Sequence, residues 1–147
     1  MSNFYTPGGA ALSSNSEEWE TPRALFEELN KEFNFTLDAA SSDLNAKVER
    51  HYTKEDDGLS KDWSGETVFL NPPYGRNIKA WIKKAYEESK NATIVLLIPA
   101  RTDTSYFHDY ILDKAEIRFI RGRLRFEMGG VVRDPAPFPS MIVIYKP

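Results

Sequence analysis

The continuous apolar run at residues 93–98 is the feature of the sequence that most restricts the fold. A strand with one face in water alternates apolar and polar residues, whereas an unbroken apolar run is typical of a strand covered on both faces. A shorter run at residues 67–70 precedes it, and a helical pattern separates the two. Strands that alternate with helices in this way predict a mostly parallel sheet in a layered α/β domain.

Two amphipathic helices are predicted from apolar residues at helical spacing. The first follows Thr21-Pro22, where threonine would cap the free N–H groups and proline would occupy the first helical position. The second follows Asn77 as its predicted cap. Their apolar faces consist of Leu25, Phe26, Leu29 and Phe33 in the first helix and Ile78, Trp81, Ile82 and Ala85 in the second.

The residue pattern of the C-terminal third predicts one further helix followed by closely spaced strands. That helix would be capped by Thr102 or Asp103 and would turn Phe107, Tyr110 and Ile111 inward. Strands are expected at residues 117–120, 123–126 and 141–145, and a short one at 35–38. Strands joined without intervening helices are usually antiparallel, so we expect an antiparallel C-terminal edge on the parallel sheet.

Composition indicates a single globular domain without a metal site. The 147 residues suit one domain, with a Gly-, Ser- and Asn-rich arm at 1–18 and a folded domain at 19–147. Cysteine is absent, and the two histidines, His51 and His108, are not at metal-ligand spacing. No signal peptide or membrane span is apparent, so we expect a cytoplasmic protein.

The segment Asn71-Pro72-Pro73-Tyr74 is the strongest candidate for a chemical site, because it follows the apolar run at 67–70. The side-chain oxygen of Asn71 and the carbonyl of Pro72 are two acceptors for the N–H bonds of a planar amine such as that of adenine. The prolines would fix the backbone, and Tyr74 would stack on a flipped base. The alternative is a simple strand terminator.

Several motifs in order resemble the small DNA N-6-adenine methyltransferases often encoded by phages and prophages. The resemblance covers residues 19–147. Its motifs are Trp19-Glu20-Thr21-Pro22, Leu37-Asp38-Ala39-Ala40, Asp57-Gly58-Leu59 ahead of Trp63, Asn71-Pro72-Pro73-Tyr74-Gly75, Pro99-Ala100-Arg101-Thr102-Asp103-Thr104 and Gly122-Arg123-Leu124-Arg125-Phe126.

This resemblance implies a Rossmann-like sheet that uses S-adenosylmethionine as cofactor and double-stranded DNA as substrate, in the cytoplasm of a bacterial host if the gene is phage-borne. It implies that Asn71, Pro72, Pro73 and Tyr74 form the catalytic site. The implied cofactor-binding residues are Trp19, Thr21, Pro22, Asp38, Ala39, Ala40, Asp57 and Leu59. One departure is that no glycine follows Asp38 before Gly58, whereas many methyltransferases have a glycine-rich loop there.

A local arginine cluster is the expected DNA-binding surface, since the chain as a whole carries a net charge of −3. In an extended segment, Arg121, Arg123 and Arg125 share one face. The full candidate set is Arg76, Arg101, Arg118, Arg121, Arg123, Arg125 and Arg133. A solvated surface is the alternative.

Three other functions fit the same motifs. Methylation of RNA adenine or of a protein glutamine amide would use the same acceptor pair, and a non-catalytic DNA-binding protein would retain only the fold. The sequence favours a monomer and does not specify a DNA target. Residues 42–62 and 128–139 are the expected places for base contacts.

Overall fold

The computed structural model describes residues 19–147, so the predicted N-terminal arm at 1–18 lies outside the described residues. The helices are α1 (Arg23–Phe33) and α2 (Ile78–Glu88), with a 3-10 turn at Gly58–Ser60 and a π-helical turn at Phe107–Ile111. The strands are β1 (Leu37–Asp38), β2 (Thr67–Leu70), β3 (Thr93–Pro99), β4 (Glu116–Phe119), β5 (Glu127–Met128), β6 (Val131–Val132) and β7 (Ser140–Tyr145).

Five strands form one sheet in the order β1-β2-β3-β7-β4, and β5 and β6 form a separate hairpin. Strands β1, β2 and β3 are parallel, and β7 is antiparallel to both of its neighbours. The α/β class is confirmed. The C-terminal strands β4 and β7 form an antiparallel pair at one side of the sheet, as expected, although β4 and not the last strand β7 lies at the edge.

The centre of the sheet is buried on both faces, as the run at 93–98 predicted. Six of the seven β3 residues and all six β7 residues are buried. Helix α1 packs Phe26 against Phe69 of β2, with ring centroids 5.1 Å apart. All four residues of the predicted α2 face are buried. Within residues 19–147, no helix has the length and apolar character needed to span a membrane.

The predicted capping of both helices by local side chains is wrong. Thr21 is buried and its hydroxyl accepts a hydrogen bond from the Asn71 amide, and Pro22 precedes α1 instead of opening it. The backbone N–H of Arg23 donates to the Glu127 carboxylate at 3.0 Å, so a distant residue caps α1. Asn77 precedes α2 without a side-chain cap.

The C-terminal third departs most from the predicted elements. The Thr104 hydroxyl, rather than Thr102 or Asp103, accepts the N–H of Phe107 at 3.3 Å. Residues 123–126 do not form a strand, although Leu124 and Phe126 carbonyls accept N–H groups from Ala136 and Arg133. This irregular pairing still leaves Arg121, Arg123 and Arg125 exposed while Phe126 is buried.

Candidate active site

The predicted site residues meet at one edge of the sheet. Strands β1, β2 and β3 run parallel, with Asp38 opposite Phe69. Their carboxyl ends therefore point the same way; β1 ends at Asp38 and β3 at Pro99, and Asn71 directly follows the end of β2. In an open α/β sheet this edge is where ligands bind.

Asn71 is held by its amide nitrogen. Its Nδ2 donates to the backbone carbonyl of Trp19 and to the Thr21 hydroxyl at 3.1 Å. A carbonyl only accepts hydrogen bonds, so the opposite amide orientation would place two oxygens against each other. The Trp19-Glu20-Thr21 segment thereby fixes which end of the Asn71 side chain is the nitrogen.

The other end of this amide is an unused acceptor. Asn71 Oδ1 is buried and has no hydrogen-bond partner among the described residues. A buried acceptor without a donor costs about 1–3 kcal/mol, so such atoms usually mark a functional position. Asn71 was predicted to act as an acceptor, and its Oδ1 is both oriented and without a hydrogen-bond partner among the described residues.

Tyr74 lies inside the protein rather than on its surface. It is 6% exposed, and its hydroxyl donates to the carbonyl of Leu97 at 3.0 Å. Burial raises the pKa of this phenol well above its usual value. Its ring meets Phe126 and Phe138 edge to face. Pro72, two residues before Tyr74, is buried. Among the hydrogen bonds made outside the regular helices and strands, no backbone N–H of the described residues donates to the Pro72 carbonyl.

A cavity of about 480 Å³ opens beside Tyr74. Its volume falls in the range that holds small ligands, which is also large enough for a nucleobase. The wall includes Trp19, Tyr74, Pro99, Arg101, Tyr106 and Phe138. Asn71 does not line this cavity; it contacts the carbonyl of Trp19, which does.

Asp38 organises the loop that follows β1. Its carboxylate accepts the backbone N–H of Lys47 at 2.9 Å and that of Ala40 at 3.4 Å. Burial is the main cause that raises the pKa of Asp38 to about 6, partly opposed by these two hydrogen bonds. His51 lies nearby, and its own pKa is raised chiefly by its hydrogen bond to Asp43.

The Asp57-Gly58-Leu59 turn packs against the same loop. A Cβ atom on Gly58 would lie 2.3 Å from the carbonyl oxygen of Ala39, so only glycine fits. Ala39 is fully buried, Asp57 is exposed and Leu59 is half-buried. The loop directly after Asp38 contains no glycine, but Gly58 of this later turn packs closely against it.

The arginines divide into paired and exposed residues. Arg118 binds the Glu32 carboxylate with both terminal nitrogens at 2.8 Å and Glu116 at 2.7 Å, so its charge is compensated. Its predicted phosphate role has no support from this geometry. Arg76 and Arg101 are exposed at or next to the cavity wall. Arg123 is also exposed and donates to the Ala136 carbonyl at 3.4 Å, beside the cavity residue Pro137.

Sequence reasoning missed the aromatic support of the site. Phe126 and Phe138 pack on Trp19 with ring centroids 5.4 and 5.2 Å away and also contact Tyr74. Trp19 therefore packs on this aromatic cluster. The only sequence signal was Phe126 at the end of the arginine motif, because residues 126 and 138 are distant in the chain.

These features define the class of site: an oriented amide acceptor beside a base-sized aromatic cavity, at the carboxyl edge of an α/β sheet. A family model described as DNA N-6-adenine-methyltransferase (Dam) matches residues 9–147. The chain therefore belongs to this family of adenine-specific DNA methyltransferases, which confirms the resemblance expected from the motifs.

Two phage proteins illustrate the relationship. The DNA N-6-adenine-methyltransferase of Haemophilus phage HP1 is 30% identical over 141 residues, covering 91% of this chain and 81% of that protein. The DNA N-6-adenine-methyltransferase of Escherichia phage T1 is 35% identical over 115 residues, covering 76% of this chain. The match spans about half of the T1 protein, 48% of its length.

Proposed function

We propose that this chain transfers a methyl group from S-adenosylmethionine to the exocyclic N6 amine of adenine in double-stranded DNA. The observation that carries the proposal is the state of Asn71. Its nitrogen is bound, and its buried oxygen has no partner among residues 19–147. An acceptor prepared in this way suits an amine that must be oriented before it reacts.

Asn71 Oδ1 and the Pro72 carbonyl act on the amine as a pair. The adenine amine is a poor nucleophile because its lone pair is delocalised into the ring. Two acceptors that draw its N–H bonds out of the ring plane localise that lone pair. Pro72 and Pro73 restrict the backbone, so the carbonyl is in place before the substrate arrives.

Tyr74 and the cavity beside it receive the base. An aromatic face stacks on a flipped base with about 1–3 kcal/mol of stabilisation. The Tyr74 hydroxyl is already bound to Leu97, so the ring and not the hydroxyl makes this contact. Asn71 does not line the cavity itself, but it is joined to the cavity wall through its hydrogen bond to the Trp19 carbonyl.

No general base is required at Asn71, whose amide does not titrate. The alkylated nitrogen is strongly acidic, so water takes its proton after transfer. Most of the acceleration then comes from alignment of the nitrogen with the methyl group and from fixed acceptors that stabilise the charge on nitrogen.

The loops after β1 fit the cofactor of this reaction. They offer a buried carboxylate at Asp38, small residues at Ala39 and Ala40, and a buried Ser41 hydroxyl without a partner among the described residues. The turn that contains Asp57 and Leu59 meets Ala39 through Gly58, and Thr21, which precedes Pro22, is bound by Asn71 at the end of the neighbouring strand β2. S-adenosylmethionine supplies the methyl group on an electrophilic sulfonium. We assign the sheet to the Rossmann-like class on which such sites occur.

The proposed DNA-binding surface consists of five arginines: Arg76, Arg101, Arg121, Arg123 and Arg125. The proposed location is the bacterial cytoplasm, where phage DNA is present. Arg123→Ala should weaken duplex binding and reduce the slope of log affinity against log salt by about one unit. Arg118→Ala is the matched control, because Glu32 and Glu116 already compensate that charge. Equal slopes in the wild type and Arg123→Ala would remove Arg123 from the interface.

Product analysis tests the reaction. The protein is incubated with labelled S-adenosylmethionine and mixed-sequence duplex DNA, and the DNA is then digested to nucleosides. Label in N6-methyladenine is the expected result. Parallel reactions with RNA and protein identify the alternative acceptors, adenine in RNA and glutamine amides. DNA or cofactor binding without any labelled product would instead indicate a non-catalytic protein.

A further inference from the structure

The β5–β6 hairpin is an exposed apolar element beside the cavity that the proposed reaction does not use. Glu127 pairs with Val132 and Met128 with Val131, and Gly129 and Gly130 form the turn with φ of 60° and 82°. Val131 is 65% exposed and Val132 is 60% exposed. Successive strand residues point to opposite faces, so each face of this ribbon presents one valine to solvent.

The hairpin is fixed at its base and open at its tip. Glu20 and Glu127 exchange two backbone hydrogen bonds, and the Glu20 carboxylate accepts the N–H of Gly129 at 3.0 Å. A Cβ atom built on Gly129 or Gly130 meets nothing within 4 Å. An isolated two-stranded ribbon is marginal in water, so these anchors are what holds the two valines in place.

The anchors also set the hairpin next to the cavity. Phe126, directly before β5, contacts Tyr74 with a ring centroid distance of 6.2 Å, and its carbonyl accepts the N–H of Arg133, directly after β6. Val132 pairs with Glu127 and Val131 with Met128, so the valines are level with the two residues that follow Phe126. Two strand residues span about 7 Å, which keeps both valines close to the Phe126–Tyr74 contact.

Charge and area select DNA as the occupant of this surface. Arg121, Arg123 and Arg125 before the hairpin and Arg133 after it outnumber the acidic residues beside it, which are Glu20, Glu127 and Asp134. The Glu20 and Glu127 carboxylates also accept the backbone N–H groups of Gly129 and Arg23. A stable protein partner needs roughly 800 Å² on each side, which two valines do not approach. A two-stranded ribbon fits the major groove of duplex DNA.

We propose that this hairpin enters the duplex at the space left by the flipped adenine, with Val131 and Val132 on its two faces packing against the base pairs on either side of that space. Its tip offers apolar contact and not the polar groups that read base edges, which favours a wedge over sequence readout. Apolar wedges of this kind offset part of the unstacking cost of a few kcal/mol. This inference rests on the proposed reaction on duplex DNA.

The test compares two substrates once the methylated sequence has been read from plasmid DNA. One duplex carries the target adenine paired with thymine, and the other carries it opposite an abasic site, where flipping is easier. Val131→Ser/Val132→Ser should lower the methylation rate on the paired duplex by about tenfold or more and on the abasic duplex by less than about twofold. Val131→Leu/Val132→Leu keeps the apolar bulk and should keep both rates.

Phe119→Ser is the matched control, since Phe119 is 63% exposed on the edge strand β4 and should leave both rates unchanged. An equal loss on both substrates, or no loss on either, would overturn the wedge. The same holds if Val131→Leu/Val132→Leu loses as much activity as the serine pair. If the wild-type protein forms no N6-methyladenine on any DNA, the proposed reaction fails instead.

Discussion

The loops that follow β1 and β2 begin at neighbouring positions of the sheet but use their polar side chains in opposite ways. The Asp38 carboxylate oxygens accept the backbone N–H groups of Lys47 and Ala40. Asn71 binds through its nitrogen and leaves Oδ1 without a partner among the described residues. In the first loop the polar side chain holds the backbone of its own loop. In the second loop the polar side chain keeps one acceptor available for a substrate.

This difference separates stability from chemistry at the same edge of the sheet. A carboxylate that accepts two N–H groups shapes the chain around it, so its loss should affect folding first. A buried acceptor without a donor costs about 1–3 kcal/mol and so does not stabilise the fold; its loss should therefore affect turnover first. Variants of the two loops therefore distinguish the roles.

Asn71→Ala gives the largest expected effect on activity. Removal of a preorganised acceptor of this kind lowers kcat by about 10²–10³-fold. The variant loses the two hydrogen bonds of Nδ2 but also removes the unpartnered Oδ1, so the unfolding free energy should fall by no more than about 1–3 kcal/mol. Single-turnover methylation of duplex DNA and denaturant unfolding measure the two quantities. Near-normal turnover would mean that Asn71 is structural, like Asp38.

Asp38→Asn should change the pH dependence of stability. The pKa of Asp38 is raised from 3.8 to about 6, so its contribution to stability is fully present below pH 4 and is lost as the pH rises through 6. A shift of this size corresponds to about 3 kcal/mol between pH 4 and pH 7. The variant should lack this decline in denaturant titrations at several pH values.

His51 provides the control for that titration. Its pKa is raised from 6.5 by Asp43, so the stability it contributes is lost at higher pH, above 6.5. His51→Gln should keep the decline and move it slightly to higher pH, because His51 lowers the Asp38 pKa. If Asp38→Asn keeps that decline, the carboxylate is not the group that titrates.

Thr21→Val tests how the free acceptor is oriented. Valine has the shape of threonine without the hydroxyl, so Asn71 Nδ2 would keep only the Trp19 carbonyl. The loss of one hydrogen bond is worth about 1 kcal/mol, which predicts a three- to tenfold lower kcat. Thr21→Ser should restore the rate because it restores the hydroxyl. A valine variant as active as the wild type would show that Trp19 alone positions the amide.

The sequence predicted those parts of the molecule that depend on neighbours in the chain. The apolar faces of α1 and α2 and the buried strand β3 follow from periodicity, which burial on one or two faces imposes directly. Asn71 was identifiable because its motif combines an acceptor, restricted backbone and aromatic ring within four residues. These features need no knowledge of which segments meet in space.

Contacts between distant segments were not predictable in the same way. Thr21 resembled a helix cap, but its hydroxyl binds Asn71, and Glu127 caps α1 instead. The place of β7 between β3 and β4 and the approach of Gly58 to Ala39 also depend on chain segments far apart in sequence. Local sequence propensity does not predict which distant segments make contact, because several side chains and backbone groups could serve equally well as partners.

Tyr74→Phe carries the smallest expected effect on turnover and sharpens the comparison within the second loop. The hydroxyl donates to the Leu97 carbonyl in the core, so it anchors the loop as Asp38 anchors its own. Its removal should lower the unfolding free energy by about 1 kcal/mol and leave kcat within about twofold, because stacking needs only the ring. Tyr74→Ala, which removes the ring, should lower turnover substantially. If phenylalanine reduced kcat as much as alanine does, the hydroxyl would take part in catalysis and the stacking role of Tyr74 would be wrong.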